Sequence, residues 1–280
     1  MILVTGANGQ LGHDVSVELS KNNVPHIATD INELDITDES DVKRFFQQNK
    51  ISSVIHCAAY TAVDKAEDEK ELCIKVNYSG TKNLCENAAK CGAKFIYVST
   101  DYVFCGNGSE PFEPDDEKGP RNVYGKSKLM GEEAVKSLLD NYFIVRTSWV
   151  FGEKNTNFIH TMLKLSQRLS EVRVVCDQIG SPTYSKHLAK LLCKMIQTEK
   201  YGEYHAHNEG YCSWAQLAEE TFKLSKKETK VIPVKSEEYP TKATRPKNSR
   251  LSTASLTEAG FELLPDWKEA LKEYLKSTEE

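Results

Sequence analysis

The sequence has no excess of positive charge, no long apolar run and no closely paired cysteines. Its 280 residues include 36 Lys and Arg against 41 Asp and Glu, a formal net charge of −5. Proteins that bind nucleic acids generally carry a basic surface, so this balance argues against a nucleic-acid partner. No apolar run approaches the roughly 20 residues of a membrane-spanning helix, so we expect no membrane partner either.

The eight cysteines are scattered, and none forms a Cys-x-x-Cys pair. Cys85 and Cys91 are the closest in sequence, and no His-rich segment lies beside them. This pattern is typical of packed thiols in a reducing compartment rather than of disulfides or metal ligands. The opening residues read as an apolar core strand and not as a signal peptide, so we expect a cytoplasmic protein without a metal site.

A glycine-rich stretch follows that first apolar run. Gly6, Gly9 and Gly12 come directly after Ile2 to Val4, and a helical pattern then begins. A strand, a sharp turn and a helix with uncovered N–H groups are therefore predicted, and such a helix start attracts anions. Because glycines let a pyrophosphate approach the backbone, we expect a nucleotide here, and a turn without a ligand is the alternative. The predicted contacts are Gly6, Asn8, Gly9, Gln10, Leu11 and Gly12.

Asp30 ends the second predicted strand, 18 residues beyond Gly12. At about 20 residues from the glycines, a carboxylate can accept a hydrogen bond from the adenosine ribose. The segment from Ile31 to Val42 adds five acidic residues and no Lys or Arg, so a 2′-phosphate would meet like charge. We expect NADH to be preferred and NADPH to be the alternative cofactor, while a turn or cap role for Asp30 stays equally open.

Apolar strands alternate with helices over the first half of the chain, and no internal repeat interrupts them. This alternation predicts an α/β protein with a Rossmann-type, doubly wound parallel sheet. We expect residues 1–152 to form an NAD(P)-binding domain and 153–280 to form mainly a smaller α/β substrate-binding domain, with 202–208 returning as a strand to the first sheet. Strands are predicted at 24–30, 53–60, 95–100 and 142–150, and helices at 71–91, from 123 onward and at 157–170.

Tyr124 and Lys128 lie four residues apart and share one face at the start of a predicted helix. An ammonium beside a phenol lowers the phenol pKa from about 10, so Tyr124 is a candidate proton donor near neutral pH. Thr100, at the carboxyl end of the preceding strand, offers a hydroxyl that can hold a carbonyl oxygen. A Tyr-x-x-x-Lys pair alone more often marks a solvated helix face. Here the glycine-rich start and the strand ending in Ser-Thr favour catalysis.

These motifs together resemble those of the extended short-chain dehydrogenase/reductases. Six stretches narrow the resemblance to the dTDP-4-dehydrorhamnose reductase family, namely 59–67, 99–104, 122–128, 146–152, 177–183 and 245–249. The resemblance implies NAD(P)H-dependent reduction of the C4 ketone of a dTDP-bound 6-deoxy-hexulose, dTDP-4-dehydro-L-rhamnose. In this reaction Tyr124 would protonate the alkoxide, Thr100 would bind the carbonyl, and Lys128 would hold the nicotinamide ribose and lower the tyrosine pKa.

The resemblance also implies further contacts. Those with the cofactor are Asp35, Ile36, Ala58, Ala59, Tyr60, Asn77 and, in addition to their catalytic roles, Tyr124 and Lys128; those with the substrate are Val63, Thr100, Asp101, Tyr102 and Trp149. Arg245 and Arg250 are candidates for the substrate diphosphate because an acidic protein needs local cations there, with solvated loop arginines as the alternative. Some family members bind magnesium through a glutamate where this chain has Asp14, so magnesium is not carried over. A magnesium site and a homodimer both stay open.

Two other functions stay open. One is an NAD-dependent epimerase or dehydratase of the same fold, although dehydratases generally need two acids beside the catalytic hydroxyl and Thr100-Asp101-Tyr102 offers one. The other is a regulatory subunit resembling that of methionine adenosyltransferase, which acts by binding a partner. The presence of Thr100, Tyr124 and Lys128 favours an enzyme.

Overall fold

The computed structural model describes residues 1–279, which form a mixed α/β fold. The strands are β1 (Ile2–Thr5), β2 (His26–Thr29), β3 (Ser53–His56), β4 (Lys94–Thr100), β5 (Tyr142–Thr147), β6 (Val150–Phe151), β7 (Glu171–Val175), β8 (Ile179–Gly180), β9 (Thr183–Tyr184), β10 (Gly202–His205), β11 (Asn208–Glu209), β12 (Cys212–Ser213), β13 (Lys230–Val234), β14 (Asn248–Ser249) and β15 (Leu264–Asp266). The helices are α1 (Gln10–Lys21), α2 (Glu39–Gln48), α3 (Val63–Ala66), α4 (Lys70–Ile74), α5 (Thr81–Cys91), α6 (Val123–Leu138), α7 (Phe158–Ser166), α8 (Ser185–Met195), α9 (Trp214–Leu224), α10 (Ala254–Glu258) and α11 (Trp267–Glu279).

Six strands form one parallel sheet in the order β10-β5-β4-β3-β1-β2. The predicted Rossmann-type sheet is therefore confirmed. The strand order reverses at β1, which pairs with β2 on one side and β3 on the other. In open parallel sheets, ligands bind at the carboxyl ends of the strands beside such a reversal. The glycine-rich turn after β1 lies at this position.

The strands of this sheet are apolar on both faces because helices cover both sides. Leu11 and Val15 of α1 pack with Leu188 and Leu192 of α8 against one face. Side chains of α2, α5 and α6 pack on the other face. This packing on both faces holds the strands, and the loops that follow them at the carboxyl edge, in fixed positions.

The rest of the chain builds smaller sheets beside that edge. A three-stranded sheet has the order β12-β8-β14, and β13 pairs with β7. Two further clusters of buried apolar residues lie under α7, α9 and α11. None of the helices within residues 1–279 is long and apolar enough to cross a membrane.

Several element boundaries differ from the predictions. The predicted helix at 71–91 is split into α4, a π-helical turn (Lys75–Gly80) and α5. The predicted strand 53–60 ends at His56, and the strand 142–150 ends at Thr147 because Trp149 has a left-handed backbone, with a φ of 50°. The helix predicted at 157–170 covers Phe158–Ser166.

Candidate active site

A cavity of about 750 Å³ lies at the carboxyl edge of the parallel sheet. Most of the predicted site residues line it, from the glycine-rich turn to the candidate catalytic groups. These are Gly6, Gly9, Gln10, Leu11, Gly12, Asp30, Asp35, Ile36, Ala58, Ala59, Val63, Thr100, Asp101, Tyr102, Tyr124, Lys128, Trp149 and Arg245. The fold therefore brings residues that are far apart in sequence onto one continuous wall.

The glycine-rich turn provides a cradle of backbone at one end of the cavity. A Cβ on Gly12 would lie 2.2 Å from the carbonyl oxygen of Gly6, so only glycine allows α1 to start this close to the turn. No side chain caps α1 at Gly9, which leaves the N–H groups of its first turn for a ligand. This arrangement fits the pyrophosphate of a dinucleotide.

Asp30 lies at the end of β2 on the same wall. Its Oδ2 atom accepts a hydrogen bond from the N–H of Asn8 at 2.9 Å, and its Oδ1 atom accepts one from the N–H of Ile31 at 2.8 Å. The carboxylate therefore holds the glycine-rich turn while it faces the cavity. Asn8 itself does not line this cavity, since its side of the turn faces a second, shallower cleft.

Tyr124 and Lys128 are placed by the start of α6. The side chain of Asn122 caps this helix by accepting a hydrogen bond from the N–H of Gly125 at 2.8 Å. A Cβ on Gly125 would lie 2.2 Å from the carbonyl oxygen of Tyr102, so glycine lets α6 pack directly against the turn that follows β4. The rings of Tyr124 and Tyr102 meet edge to face, with centroids 5.7 Å apart. The phenol is thereby brought beside Thr100 at the end of β4.

The environment of Lys128 differs from the predicted one. Its Nζ donates to the carbonyl oxygen of Val98 at 2.8 Å and lies 4.0 Å from the centroid of the Tyr97 ring. Burial lowers the pKa of Lys128 to about 7. Burial also raises the pKa of Tyr124 above its ordinary value, and a hydrogen bond with Thr100 offsets only part of this rise. The net shift of the Tyr124 pKa is therefore upward, because the effect of burial is larger than the effects that lower it.

Asp101 is buried beside these groups. The hydroxyl of Thr100 donates to its Oδ1 atom at 3.0 Å, whereas its Oδ2 atom has no partner within the described part of the chain. Burial raises the pKa of Asp101 to about 6. The cavity therefore contains a hydroxyl, a phenol and a carboxyl group side by side, each able to hold or transfer a proton near neutral pH.

Asn77 and Tyr60 are not among the residues that line the cavity. Asn77 belongs to the π-helical turn, and its amide accepts from the N–H of Tyr60 at 2.7 Å and donates to the carbonyl oxygen of Tyr60 at 3.1 Å. The same amide donates to Ser127 Oγ of α6 at 2.9 Å. Asn77 thus joins the loop after β3, which lines the cavity at Ala58 and Ala59, to the helix that carries Tyr124.

The substrate-side predictions divide into two groups. Arg245 lines the cavity, with its Nη2 atom 2.6 Å from Asp64 Oδ2 and its Nη1 atom 3.3 Å from Tyr102 Oη. Arg250 lies elsewhere, where it donates to Asn248 Oδ1 at 2.9 Å. The cavity wall also includes residues that were not predicted as contacts. Five of them lie within the family stretches, namely Thr61, Ser99, Thr147, Ser148 and Val150, and the others are Thr5, Thr29, Ile31, Leu34, Thr37, Cys57, Val76, Val98, Asn155, Thr156 and Trp214.

Asp14, the residue considered for magnesium, is buried and accepts a hydrogen bond from Ser185 Oγ. Its Oδ1 atom lies 3.3 Å from His13 Nδ1. Within residues 1–279, no group of three or more His, Cys, Asp or Glu side chains is arranged to hold a metal ion. The Asp14 carboxylate of α1 is therefore used in a hydrogen bond with Ser185 of α8.

A glycine-rich turn at the reversal point of a parallel sheet, with Thr100, Tyr124 and Lys128 on the same cavity, is the arrangement of the extended short-chain dehydrogenase/reductases. Over residues 1–280 the chain matches the model of the RmlD substrate binding domain family. The chain belongs to this family, which confirms the relationship that the sequence motifs indicated.

Individual relatives support this assignment over the whole chain. A crystal structure of a dTDP-4-dehydrorhamnose reductase from Clostridium acetobutylicum has a TM-score of 0.97 at 44% identity and covers 100% of this chain and 99% of its own. The reductase of the same name from Bacillus anthracis, solved in complex with NADP, has a TM-score of 0.96 at 41% identity, with 99% and 98% covered. The spore coat polysaccharide biosynthesis protein SpsK of Bacillus subtilis is 40% identical over 275 residues, which are 98% of this chain and 96% of that protein.

Proposed function

We propose that the protein reduces the C4 ketone of dTDP-4-dehydro-L-rhamnose to dTDP-L-rhamnose with a nicotinamide cofactor. The observation that carries the proposal is that Thr100, Tyr124 and Lys128 line the same cavity as the glycine-rich turn. The turn that would hold the cofactor and the phenol that would face the ketone thus border one continuous space. The names of the Clostridium acetobutylicum and Bacillus anthracis relatives support the same reaction.

Each side chain has a separate task in this reaction. When bound, a reduced nicotinamide supplies a hydride to the carbonyl carbon. Tyr124 gives its phenolic proton to the carbonyl oxygen as charge develops there, and its raised pKa keeps that proton in place at neutral pH until the alkoxide forms. Thr100 turns its hydroxyl toward the same oxygen. Lys128, fixed by Val98, holds the nicotinamide ribose, and solvent returns the proton to the phenolate.

The direct test is NADH oxidation with a panel of 4-keto sugar nucleotides. We expect turnover with dTDP-4-dehydro-L-rhamnose, followed as loss of NADH absorbance, and formation of dTDP-L-rhamnose on chromatography. A sample without the sugar nucleotide controls for slow oxidation by oxygen. Absence of turnover with every 4-keto sugar nucleotide, by a protein that still binds NADH, would contradict the proposed function.

We propose that NADH is preferred over NADPH. Asp30 presents a carboxylate where the adenosine ribose arrives, and the neighbouring wall residues at 29–37 include Asp35 but no Lys or Arg. Arg44, the nearest arginine in sequence, is paired with Asp41. We expect a higher kcat/KM with NADH, and we expect Asp30→Ala to narrow the gap. Equal kcat/KM values for the two cofactors in the unmutated enzyme would rule out this preference.

We propose that Arg245, and not Arg250, binds the diphosphate of the substrate. Arg245 lines the cavity beside Tyr102, whereas Arg250 is directed toward Asn248. Its bond with Asp64 orients the guanidinium and leaves it partly exposed. Arg245→Ala should raise the KM for the sugar nucleotide while Arg250→Ala, the matched control, leaves it unchanged. The same KM in both variants would contradict this role.

The proposed reaction uses a charged cofactor and a charged sugar nucleotide, neither of which crosses a lipid bilayer unaided. We therefore propose that the protein acts in the cytoplasm. The presence of eight free cysteines is consistent with a reducing compartment.

A further inference from the structure

Trp149 has a strained backbone at the edge of the cavity. Its φ of 50° is in the left-handed region, which bulky residues rarely adopt. The conformation is held in place because the N–H of Thr183 donates to the carbonyl oxygen of Trp149 at 3.2 Å, and Ser148 Oγ donates to the carbonyl oxygen of Ser181 at 2.7 Å. Strained backbone conformations that the surrounding structure holds in place are common at functional sites.

The indole of Trp149 lies directly on that of Trp214. The ring centroids are 3.7 Å apart and the planes differ by 14°. Aromatic pairs usually prefer an offset or edge-to-face arrangement with centroids about 4.5–7 Å apart, so this face-to-face contact is imposed by the surroundings. Both indoles line the cavity that contains Thr100 and Tyr124.

Trp214 is itself fixed from two sides. It is the first residue of α9, whose start is closed by reciprocal hydrogen bonds between Ser213 and Gln216. The ring of Phe158 lies 4.7 Å from the Trp214 ring. Trp214 therefore forms a rigid backing on which Trp149 rests.

Gly180 leaves room for this pair. A Cβ at Gly180 would lie 2.9 Å from Cε2 and 3.0 Å from Cζ2 of Trp149, which is closer than carbon atoms approach without displacement. Gly180 of β8 pairs with Cys212 of β12, and Cys212 lies two residues before Trp214 in the chain. The same small sheet thus positions Trp214 and provides the space for Trp149.

We propose that Trp214 is a positioning residue for the sugar: it holds the Trp149 indole so that the indole offers an apolar face to the 6-deoxy-hexulose ring of the substrate. This inference rests on the proposed function. The C–H groups and the C6 methyl of such a sugar are apolar and pack favourably on an aromatic face.

The test compares Trp214→Ala with Trp214→Phe in the full-length chain. Loss of the aromatic contact should raise the KM for dTDP-4-dehydro-L-rhamnose about three- to tenfold, whereas phenylalanine should retain most of the stacking and a KM near that of the unmutated enzyme. The dissociation constant for NADH, measured by titration of the free enzyme, should stay unchanged in both variants. A merely structural role for Trp214 would change cofactor binding and kcat along with KM.

A spectroscopic measurement tests the pair without any ligand. Two stacked indoles give coupled bands of opposite sign in the circular dichroism spectrum, and Trp214→Phe should abolish them. Trp267→Phe is the matched control: Trp267 is a buried tryptophan of the same apolar cluster, but it does not line the cavity and is not part of the stacked pair, so this variant should leave the coupled bands and the KM unchanged.

Gly180→Ala provides a second route that leaves Trp214 in place. It should displace the Trp149 ring and raise the KM for dTDP-4-dehydro-L-rhamnose. This variant serves as the test if Trp214→Ala does not fold. Unchanged sugar-nucleotide KM in the folded alanine variants would overturn the role of Trp214 while the reductase activity stands. No turnover by the unmutated chain would instead overturn the proposed function, and this inference with it.

Discussion

Tyr124 carries the proton that the proposed reaction consumes. Tyr124→Phe keeps the ring that packs against Tyr102 and removes only the hydroxyl, so we expect kcat to fall roughly 10²–10⁴-fold with an unchanged dissociation constant for NADH. Steady-state kinetics and NADH titration measure the two quantities. Tyr142→Phe, on β5 and outside the cavity, is the matched control and should keep full activity. Near-full turnover by Tyr124→Phe would mean that another group is the acid.

Asp101 links the site to the pH dependence of stability. Because burial raises its pKa to about 6, its protonated form stabilises the fold at low pH, and this contribution is lost as the pH rises from about 4 through 6. Asp101→Asn removes the titration. The free energy of unfolding of the variant relative to the unmutated protein should therefore increase by about 2 kcal/mol between pH 4.5 and 7.5. Urea unfolding at several pH values measures the difference, and a difference independent of pH would contradict the assignment.

The π-helical turn between α4 and α5 is the element that connects the cofactor loop to the catalytic helix. Its Asn77 amide bonds both backbone groups of Tyr60 and the hydroxyl of Ser127. Asn77→Ala should cost about 2 kcal/mol of unfolding free energy, since it leaves buried polar groups without partners, and it should raise the KM for NADH. Urea unfolding and steady-state kinetics measure these two effects.

Asn87→Ala is the matched control for this element. Asn87 is also a buried asparagine of the same helical segment, but its amide donates to the carbonyl oxygen of Asn83 one turn away. We expect the control to change stability slightly and the KM for NADH not at all. Identical KM values in the two variants would show that the π-helical turn does not position the loop.

Strand β5 is tied to α6 by a buried ion pair. Arg146 is fully buried and binds Glu132 through two hydrogen bonds, at 2.8 and 2.7 Å, and Ser99 of the cavity wall donates to the same carboxylate. Arg146→Met leaves Glu132 buried without its partner and should cost about 3–5 kcal/mol of unfolding free energy. Arg173→Met removes an exposed pair with Glu238 and should cost less than about 1 kcal/mol. Equal losses in urea unfolding would contradict the structural role of Arg146.

At the scale of the whole molecule, the parallel sheet was predictable because its signals are local. Each buried strand reads as a short apolar run, and each helix that follows has an apolar face. The glycine-rich turn and Asp30 could be placed for the same reason, since the carboxyl ends of parallel strands share one edge. The Tyr124–Lys128 spacing likewise placed both residues on one helix face, which lines the cavity.

The remaining features depend on contacts between distant segments. Trp214 stacks on Trp149 across 65 positions of sequence, and no pattern at either residue indicates the other. Lys128 could be placed on α6, but its bond with Val98 depends on how closely the helix packs on β4. Asn77 was assigned to the cofactor, and only the packed structure shows that its amide is used by Tyr60 and Ser127. The start of α6 is different, because Asn122 caps the N–H of Gly125 only three residues later and this pattern is a local signal in the sequence.

In the proposed reaction a hydride reaches C4 of the sugar and remains there. The most direct measurement uses NADH carrying deuterium at the transferred position of the nicotinamide, with dTDP-4-dehydro-L-rhamnose as substrate and NMR analysis of the product. We expect one deuterium at C4 of the rhamnosyl product for each NADH oxidised, and none when the unlabelled cofactor is used. A product without deuterium at C4, or a changed sugar with no net consumption of NADH as in an epimerase or dehydratase, would contradict it.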